Sequence, residues 1–238
     1  MNAISDPTTS VHRYAEIARR LIARYGYPDW RPNLPPVDEL VDTILSQNTT
    51  DSSRDKAFDQ LRLRLPTWEA VRDAESEVVI EAIRPAGLSN QKGPHIQAAL
   101  RRITEEQGSI TLEFLRDMPL DQAKAWLTSL DGVGPKTAAI VLLFSMGRPA
   151  FPVDTHVHRV TKRLGLIGKN VSASHAHDLL AEIVPANTYY AAHLNFIRHG
   201  RQVCHARQPM CSECPLTDLC DFYQEHVGHE PLKGLIEP

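Results

Sequence analysis

Cysteine is absent from the first 203 residues of this 238-residue chain, and all four cysteines fall within residues 204–220. A disulfide framework spreads its cysteines along the chain, so this clustering indicates a local metal or cluster site in a reducing compartment. No apolar run approaches the ~20 residues that a membrane-spanning helix needs. Residues 1–9 are polar and contain no apolar signal region. We therefore expect a cytoplasmic protein.

A strong excess of charge of either sign is also missing, because 26 basic and 29 acidic residues give a formal net charge of −3. That balance argues mildly against a nucleic-acid partner, so the distribution of the charge matters more. Residues 84–102, 155–169 and 189–212 contain no acidic residue and hold four, four and three basic residues. One such stretch alone is typical of a solvated face. Because each adjoins a motif described below, the three together predict one positive surface for DNA.

Sustained strand alternation, internal repeats and low-complexity tracts are absent as well. Apolar residues instead recur at steps of three or four, as at Tyr14, Ile17, Leu21 and Tyr25, which predicts an all-α fold. A hydrophobic content of 42% is enough for a real core. No exposed apolar stripe suggests a second copy, so we expect a monomer.

Residues 130–136 read Leu-Asp-Gly-Val-Gly-Pro-Lys. Gly132 and Gly134 permit a tight turn and a close approach of a ligand to the backbone, and Pro135 suits the first position of a helix. The N–H groups and dipole at such a helix start suit a phosphate. Taken alone, Gly-x-Gly more often marks an ordinary corner between two helices. The lysine that follows, and the later Val-Asp-Thr-His, favour the phosphate site.

Lys136 lies at the start of that helix, and Asp154 follows eighteen residues later. An amine is nucleophilic only when neutral, and a helix N-terminus and partial burial both lower the pKa of a lysine. A surface lysine and a helix-capping aspartate are the ordinary alternatives, although capping and catalysis are compatible. A lysine and a carboxylate next to a phosphate-binding hairpin predict chemistry on a DNA sugar.

The cysteine spacing is Cys-x6-Cys-x2-Cys-x5-Cys, formed by Cys204, Cys211, Cys214 and Cys220. Four thiolates hold either zinc or a [4Fe–4S] cluster. Zinc ribbons usually contain two Cys-x2-Cys pairs, whereas this chain has one. The spacing therefore favours the cluster, with zinc as the alternative.

The hairpin with its lysine, the Val-Asp-Thr-His segment and the cysteine spacing together resemble the endonuclease III family of helix-hairpin-helix DNA glycosylases, over most of the chain. The resemblance implies a central helical domain over residues 30–147. A cluster-bearing domain would combine residues 11–29 with residues 148–225, with a DNA cleft between the two domains. Residues 1–10 and 226–238 are expected to be flexible tails.

The resemblance also implies an activity, that of a bifunctional glycosylase and AP lyase acting on damaged duplex DNA, with oxidised pyrimidines as the expected bases. Lys136 would form a Schiff base with the sugar, Asp154 would assist it, and a structural [4Fe–4S] cluster would hold a DNA-contacting loop. Binding to DNA would place the protein at the nucleoid. Two alternatives are open: a mismatched-thymine, uracil or oxidised-purine glycosylase with the same catalytic residues, and a non-catalytic DNA-binding iron–sulfur protein.

Asn48, beside Gln47, falls where the family carries a residue that fills the gap left by an extruded nucleotide, and Leu88 resembles a second inserting residue. A polar helix end capped by Asp51 and an ordinary exposed leucine are the alternatives. Asp131 stands where the family usually has proline, and an acid there should weaken DNA binding slightly. The other DNA contacts that the resemblance implies are Gly132, Gly134, His156, Arg159, Arg201 and Arg207.

Overall fold

The structure is a computed structural model that describes residues 7–227. These residues form α-helices joined by short turns and 3-10 segments, and none of them lies in a β-strand, which confirms the all-α class. No helix in this part of the chain is long and apolar enough to cross a membrane. The helices are α1 Pro7–Tyr25, α2 Pro36–Leu45, α3 Asp51–Arg64, α4 Trp68–Asp73, α5 Ser76–Ala82, α6 Ser89–Gln107, α7 Leu120–Thr128, α8 Pro135–Ile140, α9 Thr155–Arg163, α10 Ala173–Ile183, α11 Tyr189–Gln202 and α12 Asp221–His226.

The chain divides into two compact units, a central unit over Trp30–Pro152 and a terminal unit that combines the chain before Trp30 with the chain after Pro152. This division falls five residues later than the expected boundary at residue 147. The reason lies in residues 147–152, which pack onto the central unit. The Arg148 guanidinium donates to the carbonyl of Leu115, and Ala150 is fully buried in the central core.

The core of the central unit is built around α2, in which every residue except Asp38 is buried. Helix α2 begins at Pro36, directly after Pro35, because proline is pre-organised for the first turn and needs no N–H partner there. A π-helical turn over Val141–Ser145 continues α8 and leaves carbonyls for other donors. Trp30 Nε1 donates to the carbonyl oxygen of Leu143 at 2.7 Å. The beginning of the central unit is thereby fixed to its end.

The terminal unit is built on α1, α9 and α11. Tyr14, Ile17 and Leu21 form the buried stripe of α1, as their spacing predicted. The tail expected over residues 1–10 is wrong for residues 7–10, because α1 already begins at Pro7 and Ser10 is buried. The tail expected from residue 226 is likewise wrong at its first residue, because His226 is the last residue of α12. Val227 forms a turn after α12, and the rest of both expected tails, residues 1–6 and 228–238, lies outside the described residues.

Candidate active site and DNA interface

The glycine hairpin joins α7 to α8 and is held by its apolar residues. Leu130 and Val133 are buried in the central core, and the Val133 N–H donates to the Leu130 carbonyl at 3.1 Å. Gly132 adopts a φ of 75°, a conformation in which side chains are strained. Gly134 has an ordinary φ of −95°, and a Cβ at this position would have no heavy atom within 4 Å. The backbone at Gly134 is therefore accessible to a ligand.

Two residues from other parts of the chain, His95 and Gln47, pack against Gly132 of the hairpin. A Cβ on Gly132 would lie 2.4 Å from Nδ1 of His95, so the residue must be glycine for steric reasons as well. Gln47 Nε2 donates to the carbonyl of Gly132 at 2.9 Å. Gln47, predicted only as a DNA contact, thus also supports the hairpin, and His95 is a neighbour that sequence reasoning did not identify.

Lys136 is the second residue of α8, after Pro135 at the first helical position. Its side chain is half-buried, whereas the three residues that follow it, Thr137, Ala138 and Ala139, are buried in the core. The buried face fixes the helix, so Lys136 is carried on a rigid element at the accessible end of the hairpin.

Asp154 is the N-cap of α9. Its Oδ1 accepts a hydrogen bond from the backbone N–H of Val157 at 2.7 Å, so the capping role that the sequence allowed is confirmed. Burial lowers the pKa of His156, opposed by the charge of Asp154 and reinforced by Arg159 and Arg201. Burial is thus the largest influence on the pKa of His156 and favours its neutral form, while the Asp154 carboxylate opposes it.

The side chain of Arg159 is used within the protein. Its guanidinium donates to the carbonyls of Gly200 and Cys204, at 2.9 and 3.0 Å, and lies 3.0 Å from Nδ1 of His156. Gly200 permits this packing, because a Cβ there would lie 2.9 Å from the His156 ring. Arg159 thus connects α9 to the start of the segment of residues 204–220 that carries the four cysteines, here the cysteine loop. The side chains of Arg201 and Arg207 are exposed.

The single positive surface expected from the three acid-free stretches is wrong for several of its members. Lys92 is only 2% exposed and donates to two carbonyls. Arg102 is paired with Glu106, and Lys169 with Glu225. Arg198 donates to the carbonyl of Tyr25. Counting charges along the sequence could not detect this, because the carbonyl and carboxylate partners lie far away in the chain or on the next helical turn.

The two predicted inserting residues share an unusual backbone. Asn48 and Leu88 both have a φ of 51°, and within residues 7–227 they are the only non-glycine residues with positive φ. Both are exposed, Leu88 to 50%. A leucine in this conformation is rare, and such strain concentrates at functional sites. The cap of the following α3 is Thr50, whose hydroxyl accepts from Ser53 N, and not Asp51 as the sequence suggested.

The four cysteines line one cavity, together with apolar residues of α9 and of the cysteine loop such as Val160, Leu164 and Val203. Burial raises the pKa of Cys214 to about 11 and also raises the pKa of Cys211 and Cys220. Thiols in such surroundings need a cation to become thiolates. In the described residues, no group of three or more histidine, cysteine or acidic side chains is arranged to hold a metal ion.

Arg163 and His199 contact two of these thiols, and sequence reasoning did not identify either residue. Arg163 donates to Cys204 Sγ at 3.3 Å and to the carbonyl of His205 at 2.7 Å, and its guanidinium lies over the Phe222 ring. His199 Nε2 lies 3.7 Å from Cys214 Sγ. A guanidinium that donates to sulfur, as Arg163 does, is a usual outer partner of a cluster. Arg163 belongs to the acid-free stretch over residues 155–169, which predicted a positive surface, and nothing in the sequence marks His199, because a contact with sulfur leaves no local signal.

Comparison with known proteins agrees with this geometry. Residues 41–186 match the family described as HhH-GPD superfamily base excision DNA repair protein. Endonuclease III of Escherichia coli (strain K12) is 34% identical over 212 residues, covering 88% of this chain and 95% of the relative. Endonuclease III of Synechocystis sp. is 37% identical over 190 residues, covering 79% and 82%.

A solved structure of a trapped endonuclease III–DNA covalent intermediate has a TM-score of 0.77 to this chain, at 28% identity, and the match covers 90% of this chain and 97% of the other. The resemblance inferred from the motifs is thereby confirmed. The chain belongs to the HhH-GPD superfamily of base excision DNA repair proteins and, within it, to the endonuclease III family.

Proposed function

We propose that this protein is a bifunctional DNA glycosylase and AP lyase of base excision repair in which Lys136 is the nucleophile. The observation that carries the proposal is the position of Lys136, half-buried at the second residue of α8, directly after a hairpin with accessible backbone at Gly134. Family membership over most of the chain supports it. The substrate is duplex DNA that carries a damaged base or an abasic site, so we expect the protein at the nucleoid.

The reaction needs a neutral amine. The nitrogen lone pair of Lys136 attacks C1′ of the extruded nucleotide, the glycosidic bond breaks, and the base leaves with the bonding electrons. The sugar ring then opens to a Schiff base on Lys136. Loss of a C2′ proton from this adduct expels the 3′ phosphate by β-elimination and nicks the strand. The hairpin backbone at Gly132 and Gly134 is proposed to hold a nearby phosphate, which fixes the strand during these steps.

Asp154 is proposed to stabilise the positive charge that develops on the sugar as the base departs. Its hydrogen bond from the Val157 N–H fixes one carboxylate oxygen, so the charge is oriented before the reaction begins. Burial lowers the pKa of His156, which limits competing positive charge beside Asp154. Arg201 and Arg207 are proposed to contact phosphates, whereas Arg159 acts indirectly by holding the cysteine loop.

Extrusion of a base leaves a gap that costs a few kcal/mol in lost stacking and pairing. We propose that Asn48 and Leu88 fill it, because both are exposed and both have a positive φ, which is a strained conformation for Leu88. Oxidised pyrimidines are the proposed bases, by family membership. A panel of duplexes with one lesion each tests this choice, and faster release of thymine, uracil or an oxidised purine would contradict it.

The four cysteines are proposed to hold a [4Fe–4S] cluster. The donor set fits this group, because four thiols line an apolar cavity and the side chains of Arg163 and His199 approach two of their sulfurs. When bound, the cluster supplies a rigid cross-link that keeps residues 204–220 in shape. Analysis of the purified protein should find about four irons and four sulfides per chain. One zinc per chain would contradict the proposal.

The first experiment on activity is borohydride trapping. The protein is mixed with a duplex that contains one abasic site, borohydride is added, and a denaturing gel is run. We expect a covalent complex with the wild type and with the Lys124→Ala control, since Lys124 of α7 is partly exposed and lies near Asp121, and none with Lys136→Ala. Nicking that persists undiminished in Lys136→Ala would contradict the role of this lysine.

A further inference from the structure

A buried lysine connects the two segments that carry the inserting residues. Lys92 lies in the first turns of α6 and is 2% exposed. Its ammonium donates to the carbonyl of Leu45 and to the carbonyl of Ala86, both at 2.8 Å. Leu45 and Ala86 are 47 and 6 residues away along the chain, so this one cation connects segments that are remote in sequence.

Each of the two carbonyls belongs to the last residue of a helical segment. Leu45 is the last residue of α2, and the loop of residues 46–50, here the Asn48 loop, begins directly after it. Ala86 ends a 3-10 turn, and Gly87 and Leu88, here the Leu88 loop, follow it. Carbonyls at helix ends lack partners within their own helix, and a cation there also interacts favourably with the helix dipole. Lys92 therefore supplies the C-terminal cap of both segments at once.

A third bond fixes the lysine to the second loop. The backbone N–H of Lys92 donates to the carbonyl of Leu88 at 3.0 Å, and Leu88 is itself the N-cap of α6. The next residue, Gly93, sets the depth of the lysine, because a Cβ there would lie 3.0 Å from Ile80 of α5. Helix packing thus fixes the position of the ammonium group, which a lysine on the surface could not keep.

Asn48 and Leu88, each two or three residues beyond a carbonyl that Lys92 holds, are the two non-glycine residues with positive φ in the described part of the chain. For a leucine such a conformation is strained and persists only where surrounding bonds determine it. We propose that Lys92 is a positioning residue that ties the Asn48 loop and the Leu88 loop into one unit, so that both side chains enter the DNA together. This inference rests on the proposed function, because it assigns the two loops a role in base extrusion.

The first test needs no DNA. Hydrogen exchange, read by mass spectrometry, is compared among the wild type, Lys92→Met and the surface control Lys124→Met. Methionine keeps the length and the apolar stem of lysine but donates to neither carbonyl. We expect faster exchange in peptides that cover both loops of Lys92→Met, and no change in either loop of Lys124→Met. If Lys92→Met changes the exchange rate in neither loop, or in only one of them, the proposal that Lys92 connects the two loops would be wrong.

The second test measures extrusion. A duplex carries an abasic site opposite 2-aminopurine, whose fluorescence rises when it is unstacked. Loss of hydrogen bonds from a charged donor should reduce the rate of this rise in Lys92→Met by about tenfold. Leu88→Ala should cost less in the Lys92→Met background than in the wild type, because the two changes disrupt the same unit. Additive costs would overturn the proposal, since a lysine that merely stabilises the core predicts additivity.

If Lys92→Met does not fold, a double-mutant cycle between Asn48 and Leu88, with Lys92 unchanged, tests whether the two loops act as one unit. Asn48→Ala, Leu88→Ala and the double variant are measured by the same fluorescence, and a tied pair predicts that the double variant costs less than the two single costs combined. Additivity there would also overturn the proposal. A wild type that gives neither trapped adduct nor fluorescence change would contradict the proposed function, and the hydrogen exchange of a folded Lys92→Met would still decide whether Lys92 connects the two loops.

Discussion

Gln47 donates its side-chain amide to the carbonyl of Gly132 at 2.9 Å, which links the end of α2 to the glycine hairpin. The contact joins residues 85 positions apart and holds the hairpin two residues before Gly134, whose backbone is accessible. A residue expected only to touch DNA thus also shapes the loop that would hold the phosphate.

Replacing Gln47 by alanine should therefore weaken DNA binding through the hairpin. Loss of one neutral hydrogen bond is worth about 0.5–1.5 kcal/mol, so affinity for a duplex with an abasic site should fall by about two- to tenfold. Fluorescence anisotropy at a fixed salt concentration measures this. Gln122→Ala, on the exposed face of α7, is the matched control and should bind as the wild type does. Equal affinity of both variants would show that the Gln47 contact is dispensable.

The two glycines of the hairpin should respond differently to alanine. Gly132→Ala places a Cβ 2.4 Å from His95 Nδ1 at a φ of 75°, so we expect a loss of about 2 kcal/mol or more in the free energy of unfolding. Gly134→Ala has an ordinary φ and open space, so stability should change by less than about 0.5 kcal/mol while DNA affinity falls.

Urea unfolding and DNA binding of the two hairpin variants distinguish these effects. His95→Ala combined with Gly132→Ala should recover the steric part of the loss and leave the part due to positive φ. Equal destabilisation by alanine at Gly132 and at Gly134 would contradict this account of the hairpin.

Asp154 combines a structural and a proposed chemical role, and two substitutions separate them. Asparagine caps helices about as well as aspartate, so Asp154→Asn should leave the unfolding temperature nearly unchanged, whereas Asp154→Ala should cost about 1 kcal/mol. Both variants lose the negative charge, so single-turnover base release should fall about as strongly in each. Full activity of Asp154→Asn would remove the carboxylate from the proposed mechanism.

The sequence was sufficient for the features that depend on local chemistry. Pro36 and Pro135 mark helix starts, and Asp154 caps α9, because a helix N-terminus needs only residues within its first turn. Thr50 and Asp51 show the limit. Both residue types cap helices well, and only the backbone at Thr50, which is extended, decides which of them does so.

Contacts between residues that are distant in the chain could not be predicted from the sequence in this way. Lys92 and Arg163 belong to acid-free stretches and were assigned to a DNA surface, yet the first is buried against two helix ends and the second is directed at the cysteine loop. A buried cation needs acceptors from elsewhere in the chain. Sequence spacing gives no sign of carbonyl acceptors, because every residue has one.

Glu39 leads to a prediction on pH dependence. Burial on α2 raises the pKa of Glu39 to about 7, opposed by a hydrogen bond from Asn33 Nδ2 at 3.0 Å. In the unfolded chain this group ionises near its ordinary pKa of about 4.3. Between these two values the folded state keeps a proton that the unfolded state has lost. The contribution of Glu39 to stability is therefore fully present below about pH 4.3 and is lost progressively as the pH rises to about 7.

Glu39→Gln should remove this dependence, because a neutral amide has no proton to lose. We expect the variant to be more stable than the wild type by about 1–3 kcal/mol at pH 8, with the difference shrinking towards pH 5. Urea unfolding at several pH values measures it, and Glu69→Gln on the exposed side of α4 is the matched control. A wild type that loses no stability relative to Glu39→Gln between pH 5 and pH 8 would show that Glu39 ionises in the folded protein as it does in water.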